Sequence, residues 1–375
     1  MDDESRFLFI PVGSTPARLF GLDATERACR LAANAGFESG DRARASDEGR
    51  GALLANMAFA WDPAWLKVVA AKPASVLTFR GEPVLAFVPA GGGAEAVEQA
   101  MLGNGGSLDG LEPIDAEMAQ VSYDELRKRE QPFVLPLDPG NVEPVERAAY
   151  DASYKGVTDA LTLYLWRKPA FYLTRWAAQA GVSPNAVTAI GALLCVAAFF
   201  LFWTGFYWLG VLSGFIFMVL DTVDGKLARC TGTSSKWGNV FDHGIDLIHP
   251  PFWWWAWAHG LAAFGTPLEP VYSTMLLAAI IIGYVAQRVI EGLFIARFKI
   301  HIHVWQPIDS RFRLVTARRN PNMVLLVGAL LFTRPDIGLE LVGLWTILSL
   351  IFHLVRFAQA EARAWRGEPL VSWLA

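Results

Sequence analysis

Four aspartates in the second half of the sequence are the residues best suited to chemistry. Asp221 and Asp224 lie three residues apart, and Asp242 and Asp246 lie four apart. On helices each pair shares one face, so two antiparallel helices joined by a short loop would bring the four carboxylates together. Such a cluster repels itself strongly where the dielectric constant is low. Its oxygen atoms fit one or two Mg²⁺ or Mn²⁺ ions, which bind phosphates and serve phosphoryl transfer.

The residues between the two acidic pairs favour a bound phosphate compound. Gly225 and Gly238 carry no side chain, so a ligand could lie directly against the backbone there. Arg229 could bind a diphosphate through paired hydrogen bonds. The only cations close in sequence are Lys226, Arg229 and Lys236. Because these are too few to neutralise four acids, the pattern indicates a metal site rather than a salt-bridge network.

The 375-residue chain has a polar front part and an apolar back part. Residues 1–150 contain 14 Lys and Arg against 23 Asp and Glu, whereas residues 151–375 contain 18 against 13, together with 13 of the 15 Trp. The mean hydropathy of +0.32 excludes a mainly disordered protein, and three cysteines exclude a disulfide framework. The acidic front part argues against a nucleic-acid partner.

Six apolar runs in the back part predict helices that cross a membrane. They are residues 186–203, 206–220, 252–264, 271–290, 323–332 and 337–357. A helix needs about 20 mostly apolar residues to cross a bilayer, and the shorter runs reach that length across their polar flanks. Lys and Arg are concentrated in alternate loops and at the C-terminal end. This distribution predicts a multi-pass protein of the inner or cytoplasmic membrane, with both termini and the active site on the cytoplasmic side.

The sequence before the first apolar run predicts an α/β domain and a connection to the membrane. The α/β domain is expected over residues 1–130, with a helix at 23–35 and strands at 7–12, 52–61, 75–79 and 84–88. Residues 131–147 are charged and rich in proline, which predicts a linker. Residues 148–183 mix aromatic and basic side chains, as interfacial juxtamembrane helices do. The membrane domain is then expected over residues 184–370.

The order D-x2-D-G-x2-A-R-x8-G-x3-D-x3-D resembles the signature of the CDP-alcohol phosphotransferase (CDP-alcohol phosphatidyltransferase) family, and every position matches. The resemblance implies a six-transmembrane-helix bundle that forms a homodimer and binds its metal ions through Asp221, Asp224, Asp242 and Asp246. It also implies that Asp246 is the general base. The residues that it assigns to the CDP portion are Gly225, Ala228, Arg229, Gly238 and Asn185.

The reaction that this resemblance implies transfers a phosphatidyl or other phospho-alcohol group to an acceptor hydroxyl, with release of CMP. We expect phospholipid synthesis from CDP-diacylglycerol, a membrane lipid, and a phosphorylated polyol such as inositol phosphate. Guanidinium groups bind phosphate well, so a basic cluster is expected to hold the acceptor phosphate. Its members are Arg288, Arg311, Arg313, Arg318 and Arg319. Contact with lipid headgroups, or topology alone, is the competing interpretation; His301 and His303 are interpreted as interfacial residues.

The front domain resembles a sugar-phosphate nucleotidyltransferase of Rossmann-like α/β type and leaves the donor open. Some family members carry such a domain to make CDP-inositol for a di-myo-inositol phosphate phosphate synthase. The loop at residues 11–16 lacks the glycines of a nucleotide-binding loop, which predicts an inactive domain that serves assembly, regulation or substrate delivery. A CDP-choline or CDP-ethanolamine type enzyme is a further alternative. From other classes, a divalent-metal transporter and a non-catalytic membrane scaffold remain.

Overall fold

A computed structural model describes the backbone of residues 7–119, 121–123 and 128–375. Side chains are described except at 121–130 and at five positions of a later helix, namely Lys236, Trp237, Asn239, Asp242 and His243. The chain forms two compact units. The first, called the α/β unit, comprises Met1–Tyr154, Leu173–Ser183 and Gly225–Ser235. The second, called the helical unit, comprises Lys155–Tyr172, Pro184–Asp224 and Lys236–Ala375.

The α/β unit is built on a mixed sheet. The described strands are β1 (Phe7–Val12), β2 (Arg18–Leu19), β3 (Leu22–Asp23), β4 (Glu38–Ser39), β5 (Gly51–Asn56), β6 (Phe59–Trp61), β7 (Ser75–Phe79), β8 (Glu82–Val88), β9 (Glu112–Asp115), β10 (Val121–Tyr123), β11 (Lys128–Glu130) and β12 (Val134–Pro136). Six of them form one sheet in the order β4-β1-β5-β8-β7-β9. The pairs β1–β4, β1–β5 and β7–β9 are parallel, whereas β8 is antiparallel to β5 and β7. The predicted α/β domain is therefore present.

Helices cover both faces of this sheet, which explains why its central strands are apolar throughout. The helices are α1 (Ala24–Asn34), α2 (Arg42–Asp47), α3 (Ala64–Ala70), α4 (Ala94–Met101) and α5 (Val142–Ala152). Every residue of β5 is buried. Phe9 and Trp65 belong to the apolar cluster on one face, and Leu8 and Leu54 belong to the cluster on the other.

The predicted strand at 52–61 is two strands, because Asn56 forms a turn. Its side-chain oxygen accepts a hydrogen bond from Ala58 N at 3.0 Å, a local bond that competes with the extended ladder. The predicted helix at 23–35 is confirmed as α1. Asp23 caps it by accepting hydrogen bonds from Thr25 N and Glu26 N at 2.9 and 3.3 Å.

The predicted linker at residues 131–147 is wrong, because much of it is ordered structure. Strand β12 pairs antiparallel with β6, and α5 begins at Val142 within the α/β unit. Val134 and Leu137 are buried. Their burial stabilises an ordered conformation of a segment whose prolines and charges predicted a flexible connection. The α/β unit therefore extends to Tyr154, beyond the predicted end at residue 130.

The segment predicted to be juxtamembrane contains helical structure. It consists of a π-helical turn at Leu161–Leu165 and of α6 (Arg167–Gln179). Tyr172 and Trp176 of α6 are exposed, whereas Trp166 is buried in the core of the helical unit. The exposed aromatic side chains fit the interfacial position that the sequence predicts for this segment.

Long helices dominate the rest of the chain. They are α7 (Pro184–Trp203), α8 (Tyr207–Thr231), α9 (Lys236–Phe264), α10 (Pro270–Phe298), α11 (Pro307–Arg313), α12 (Arg319–Leu330) and α13 (Pro335–Trp365). Among the described residues, four helices are long and apolar enough to cross a membrane: α7, α8, α10 and α13. Helix α9 contains Pro250 and Pro251, and α12 has 12 residues. At 1.5 Å per residue α12 is roughly 18 Å long, shorter than the hydrocarbon core, so six spans remain a prediction.

Close packing between helices depends on small residues. A Cβ atom at Gly283 of α10 would lie 2.7 Å from the Thr346 side chain of α13, and one at Gly343 would lie 2.4 Å from that of Leu276. The core also contains tryptophans, such as Trp253, whose Nε1 donates to the Cys195 carbonyl at 3.0 Å. Many apolar side chains of α7, α10 and α13 point outward and are exposed, as suits lipid contact.

The α1 cap gives a stability prediction. Asp23→Ala removes the acceptor for two amide groups and should cost about 1 kcal/mol of local stability, which corresponds to about fivefold faster amide exchange in α1. Hydrogen–deuterium exchange of the full chain measures this. Asp41→Ala is the matched control, because Asp41 caps α2 through Arg44 N and should affect that helix alone. Unchanged exchange in α1 would contradict the role of Asp23.

Candidate active site

Two of the predicted metal ligands lie close enough to share one cation. Asp221 lies on α8 and Asp246 lies on α9, and both accept hydrogen bonds from the guanidinium of Arg319. Arg319 Nη2 is 2.7 Å from Asp221 Oδ2, and Arg319 Nη1 is 2.7 Å from Asp246 Oδ1. One carboxylate of α8 and one of α9 thus meet on a single guanidinium, and metal binding by these acids stays a prediction.

The sequence assigned Arg319 to an acceptor phosphate, but in the structure its guanidinium bonds Asp221 and Asp246. The sequence interpretation sought cations only near the acids and found too few, yet Arg319 arrives from α12, about 75 to 100 positions further along. Its side chain is 12% exposed, and its guanidinium lies 4.9 Å from the centre of the Phe217 ring. No local sequence signal could have paired it with Asp221, because only the tertiary packing of α12 against α8 and α9 brings them together.

Arg319 is held in place by its neighbour in sequence. Asn320 donates to Asp159 Oδ1 at 2.9 Å, and its own side-chain oxygen accepts from Arg319 Nε at 3.1 Å. Burial raises the pKa of Asp159, but the Arg313 charge and the hydrogen bonds from Asn320 and Thr162 outweigh burial and leave it below its usual value. Asp159 is therefore ionised and is a strong acceptor for Asn320.

Asp224 is the least exposed of the three acids whose side chains the structure describes. It is 3% exposed, and Thr188 of α7 donates to its Oδ2 at 2.6 Å. Thr188 was not predicted as a site residue, since a threonine in an apolar run carries no distinctive signal. The hydroxyl orients one carboxylate oxygen and thereby limits the directions from which Asp224 can bind a cation.

The other residues of the signature lie on the ends of two helices. Gly225, Ala228 and Arg229 follow Asp224 on the last turns of α8, and Gly238 is in the first turn of α9. Asn185 is exposed in the first turn of α7. The backbone of Asp242 is helical, but its side chain lies outside the described part of the structure. The assignments of these residues to CDP and metal stay predictions.

The acidic cluster fits a divalent cation by its chemistry. Asp221, Asp224 and Asp246 offer carboxylate oxygens from two helices, and such an oxygen set suits Mg²⁺ or Mn²⁺. These three residues would hold the ion, together with Asp242 if its side chain faces the same way. An ion bound there supplies positive charge that neutralises a diphosphate. The guanidinium of Arg319 bonds two of the same carboxylates, so it competes with the ion for them.

The five arginines expected to bind an acceptor phosphate do not form one group. Arg288 and Arg318 both donate to Glu291, with Nη2 of Arg288 at 2.8 Å from Oε1 and Nη2 of Arg318 at 2.6 Å from Oε2. Arg319 instead bonds the aspartates, Arg313 is buried, and Arg311 is exposed on α11. Glu291 was missed because a single acid inside an apolar run does not reveal its partners. The role of these arginines toward an acceptor stays a prediction.

Glu291 also brings two histidines together, and this corrects one interpretation of the sequence. His303 Nε2 and His353 Nε2 lie 3.1 and 3.6 Å from Glu291 Oε1. His303 is buried rather than interfacial, and burial lowers its pKa well below the usual value although Glu291 acts in the opposite direction. The three side chains have the spacing of metal ligands. However, the guanidiniums of Arg288 and Arg318 already pair with the carboxylate, so we interpret the group as a salt-bridge network.

The fold and the site together define a helical membrane protein with an oxygen-rich acidic cluster. Residues 181–355 match the family described as CDP-alcohol phosphatidyltransferase. This part of the chain is a domain of that family. The match contains every residue of the acidic signature.

Individual relatives differ in their named activities. Cholinephosphotransferase 1 of Gallus gallus is 35% identical over 136 residues, which are 32% of this chain and 38% of that protein. The chain therefore spans well under half the length of this relative. Archaetidylinositol phosphate synthase of Pyrococcus horikoshii is 27% identical over 205 residues, which are 54% of this chain and 95% of that protein.

A solved structure is also similar. It is the phosphatidylinositol phosphate synthase of Mycobacterium tuberculosis with CDP-DAG bound, at 20% identity and a TM-score of 0.37, covering 51% of this chain and 94% of that one. A second structure of that enzyme is a complex with manganese and citrate.

The competition between Arg319 and a cation can be measured. In Arg319→Gln the ion no longer displaces a guanidinium from Asp221 and Asp246, so half-maximal thermal stabilisation should need roughly tenfold less Mn²⁺, the effect of about 1.4 kcal/mol. Thermal unfolding of the purified chain over a range of Mn²⁺ concentrations gives this value. Arg334→Gln is the control, since Arg334 pairs with Asp336 elsewhere. An unchanged or weaker Mn²⁺ response in Arg319→Gln would exclude the competition.

Proposed function

We propose that the protein is a metal-dependent CDP-alcohol phosphotransferase. An acceptor hydroxyl attacks the phosphorus next to the alcohol of a CDP-alcohol, and CMP leaves. The observation that carries the proposal is the meeting of Asp221 and Asp246 on one guanidinium, because it joins the two halves of the acidic signature within the matched family region. A scattered set of acids would not support phosphoryl transfer.

The aspartates differ in exposure, and this difference supports different roles. Asp246 has 44% of its side chain exposed, whereas Asp221 has 15%. A general base must reach the hydroxyl of an incoming acceptor, so the more exposed Asp246 takes the proton as the oxygen attacks phosphorus. Asp221 and Asp224, whose carboxylates are less exposed, hold the cation. Two ions, Mg²⁺ or Mn²⁺, would serve the site with Asp242 included.

The membrane arrangement that we propose is a six-helix bundle whose active site and termini face the cytoplasm. The four candidate spans support a membrane location, and α9 and α12 would complete the bundle between them. The distribution of Lys and Arg among the loops supports the orientation. A homodimer follows from the family resemblance. In that arrangement the acidic cluster lies at the cytoplasmic ends of α8 and α9.

For the substrates, we propose CDP-diacylglycerol and a phosphorylated polyol such as inositol phosphate. Arg318 and Arg319 are neighbours in sequence, and Arg319 bonds the proposed base; a guanidinium at this position supports a phosphate-bearing acceptor. The match covers 95% of the archaeal relative, and the name of that relative, archaetidylinositol phosphate synthase, indicates a product of the same class. A choline-type transfer to a lipid hydroxyl is the second candidate, supported by the higher identity of the chicken relative.

The front domain is proposed to lack nucleotidyltransferase activity. Arg18, which follows the loop at residues 11–16, donates from Nε and Nη2 to the Gly21 carbonyl at 3.2 and 3.0 Å. Thr15 of the same loop donates to the Leu137 carbonyl at 3.3 Å. Both side chains are thus bonded to backbone carbonyls outside the loop, which supports a structural role for them. CDP-inositol as a donor made by this domain is therefore the less favoured alternative.

Release of CMP tests the proposed reaction. The purified full chain should release CMP from a CDP-alcohol and an acceptor, stop with EDTA and resume with Mg²⁺ or Mn²⁺. Asp246→Asn should lower turnover by roughly 10²–10⁴-fold while it still binds the donor, because only proton transfer is removed. Glu361→Gln is the control, since Glu361 pairs with Arg297 away from the aspartates.

The possible outcomes separate enzyme, transporter and scaffold. Metal uptake into vesicles without CMP release would support a divalent-metal transporter. Neither uptake nor release over a panel of CDP-donors and acceptors would favour a non-catalytic scaffold. Wild-type turnover in Asp246→Asn would exclude Asp246 as the general base.

Arg318 gives a test of the acceptor class. Arg318→Ala should raise KM for inositol phosphate by about tenfold, because one charged hydrogen bond to phosphate is lost, while KM for the CDP-donor stays constant. Steady-state kinetics with each substrate varied in turn gives both values. Arg297→Ala is the matched control, with its side chain 57% exposed on α10. An unchanged acceptor KM would show that Arg318 does not bind the acceptor and only stabilises the structure through Glu291.

A further inference from the structure

Three of the five residues that the family resemblance assigns to CDP belong to the α/β unit rather than to the helical unit. The segment Gly225–Ser235 contains the end of α8 and the turn that follows it, and it is part of the α/β unit. We call it the anchored segment. It carries Gly225, Ala228 and Arg229, the residues that the signature assigns to CDP.

Side chains of α1 cap the end of α8 within the α/β unit. Arg27 Nε donates to the Cys230 carbonyl at 2.8 Å, and Asn34 Nδ2 donates to the Gly232 carbonyl at 2.9 Å. Carbonyls at a helix C-terminus have no partner within the helix, so these bonds satisfy groups that would otherwise need water. Arg27 is buried and adds a positive charge at the negative end of the α8 dipole.

The turn after α8 fits against α1 because Gly232 has no side chain. Its φ is +68°, and a Cβ atom there would lie 2.8 Å from Arg30 Cβ and 3.3 Å from the α1 backbone. Any other residue would therefore be strained and would push the turn away from α1. The backbones of α1 and the anchored segment are in direct contact at this point.

A second contact fixes the anchored segment near its start. Lys226 Nζ donates to the Ser153 carbonyl at 2.9 Å and lies 3.2 Å from the centre of the Tyr154 ring. Ser153 and Tyr154 directly follow α5. The segment is thus held at both ends by the α/β unit, with Ala228 and Arg229 between the two contacts.

We propose that the α/β unit is a positioning element for donor binding, and this inference rests on the proposed function. Arg27 and Asn34 fix the carbonyls of Cys230 and Gly232, and so they fix the last turn of α8 from which Arg229 projects. A front domain without a nucleotide-binding loop then acts on CDP indirectly, by setting the backbone that carries Arg229. Arg27 and Asn34 are positioning residues and do not touch the substrate.

The test compares variants of α1 in the full chain. Arg27→Ala and Asn34→Ala should each raise KM for the CDP-donor by about five- to tenfold, and Arg27→Lys, which keeps the charge, should raise it less. KM for the acceptor should not change. Arg30→Ala is the matched control: it lies on the same helix, its guanidinium pairs with Glu26 at the surface, and the alanine keeps the Cβ that faces Gly232.

Binding of CDP to the same proteins, measured by calorimetry in Mn²⁺, separates this inference from the proposed function. Weaker CDP binding in Arg27→Ala and Asn34→Ala, with melting temperatures near wild type, supports the positioning role. Wild-type CDP binding and donor KM in both variants would overturn it, as would an equal rise of both KM values. If the wild-type protein binds CDP but releases no CMP with any donor, the proposed function fails while the binding comparison still decides the inference.

Discussion

Repulsion between carboxylates at the edge of an apolar region is the constraint on which the helical unit depends. Asp221 and Asp246 can approach each other only with positive charge between them. In the structure Arg319 supplies this charge, and in the proposed reaction a divalent ion does so. The ends of α8 and α9, the N-terminus of α12 and the Asn320–Asp159 bond that holds it are all arranged around this requirement.

Much of the fold could be predicted from the sequence where the local pattern decides the structure. The capped helix α1, the strands β1, β7 and β8, and the long apolar helices follow from periodicity and composition. The predicted linker failed because burial of Val134 and Leu137 outweighed proline and charge, which no local pattern reveals.

The candidate site could be predicted only in part, for a physical reason. The acids were recognisable because four of them at helical spacing are rare in an apolar sequence. Their partners were not, because Arg319 and Thr188 reach them through tertiary packing. Glu291 was missed in the same way, although it pairs with both Arg288 and Arg318 and thereby separates them from Arg319.

Arg318 and Arg319 are neighbours in the chain but serve different acids, the first Glu291 and the second Asp221 and Asp246. Arg318 is the extended N-cap residue and Arg319 is the first residue of α12, so one extra residue between them would change the distance between the side chain bound to Glu291 and the one bound to the aspartates. The stretch between α10 and α12 can therefore vary in length during evolution only upstream of Arg318. The triplet that ends at Asn320 must be inherited without insertion or deletion.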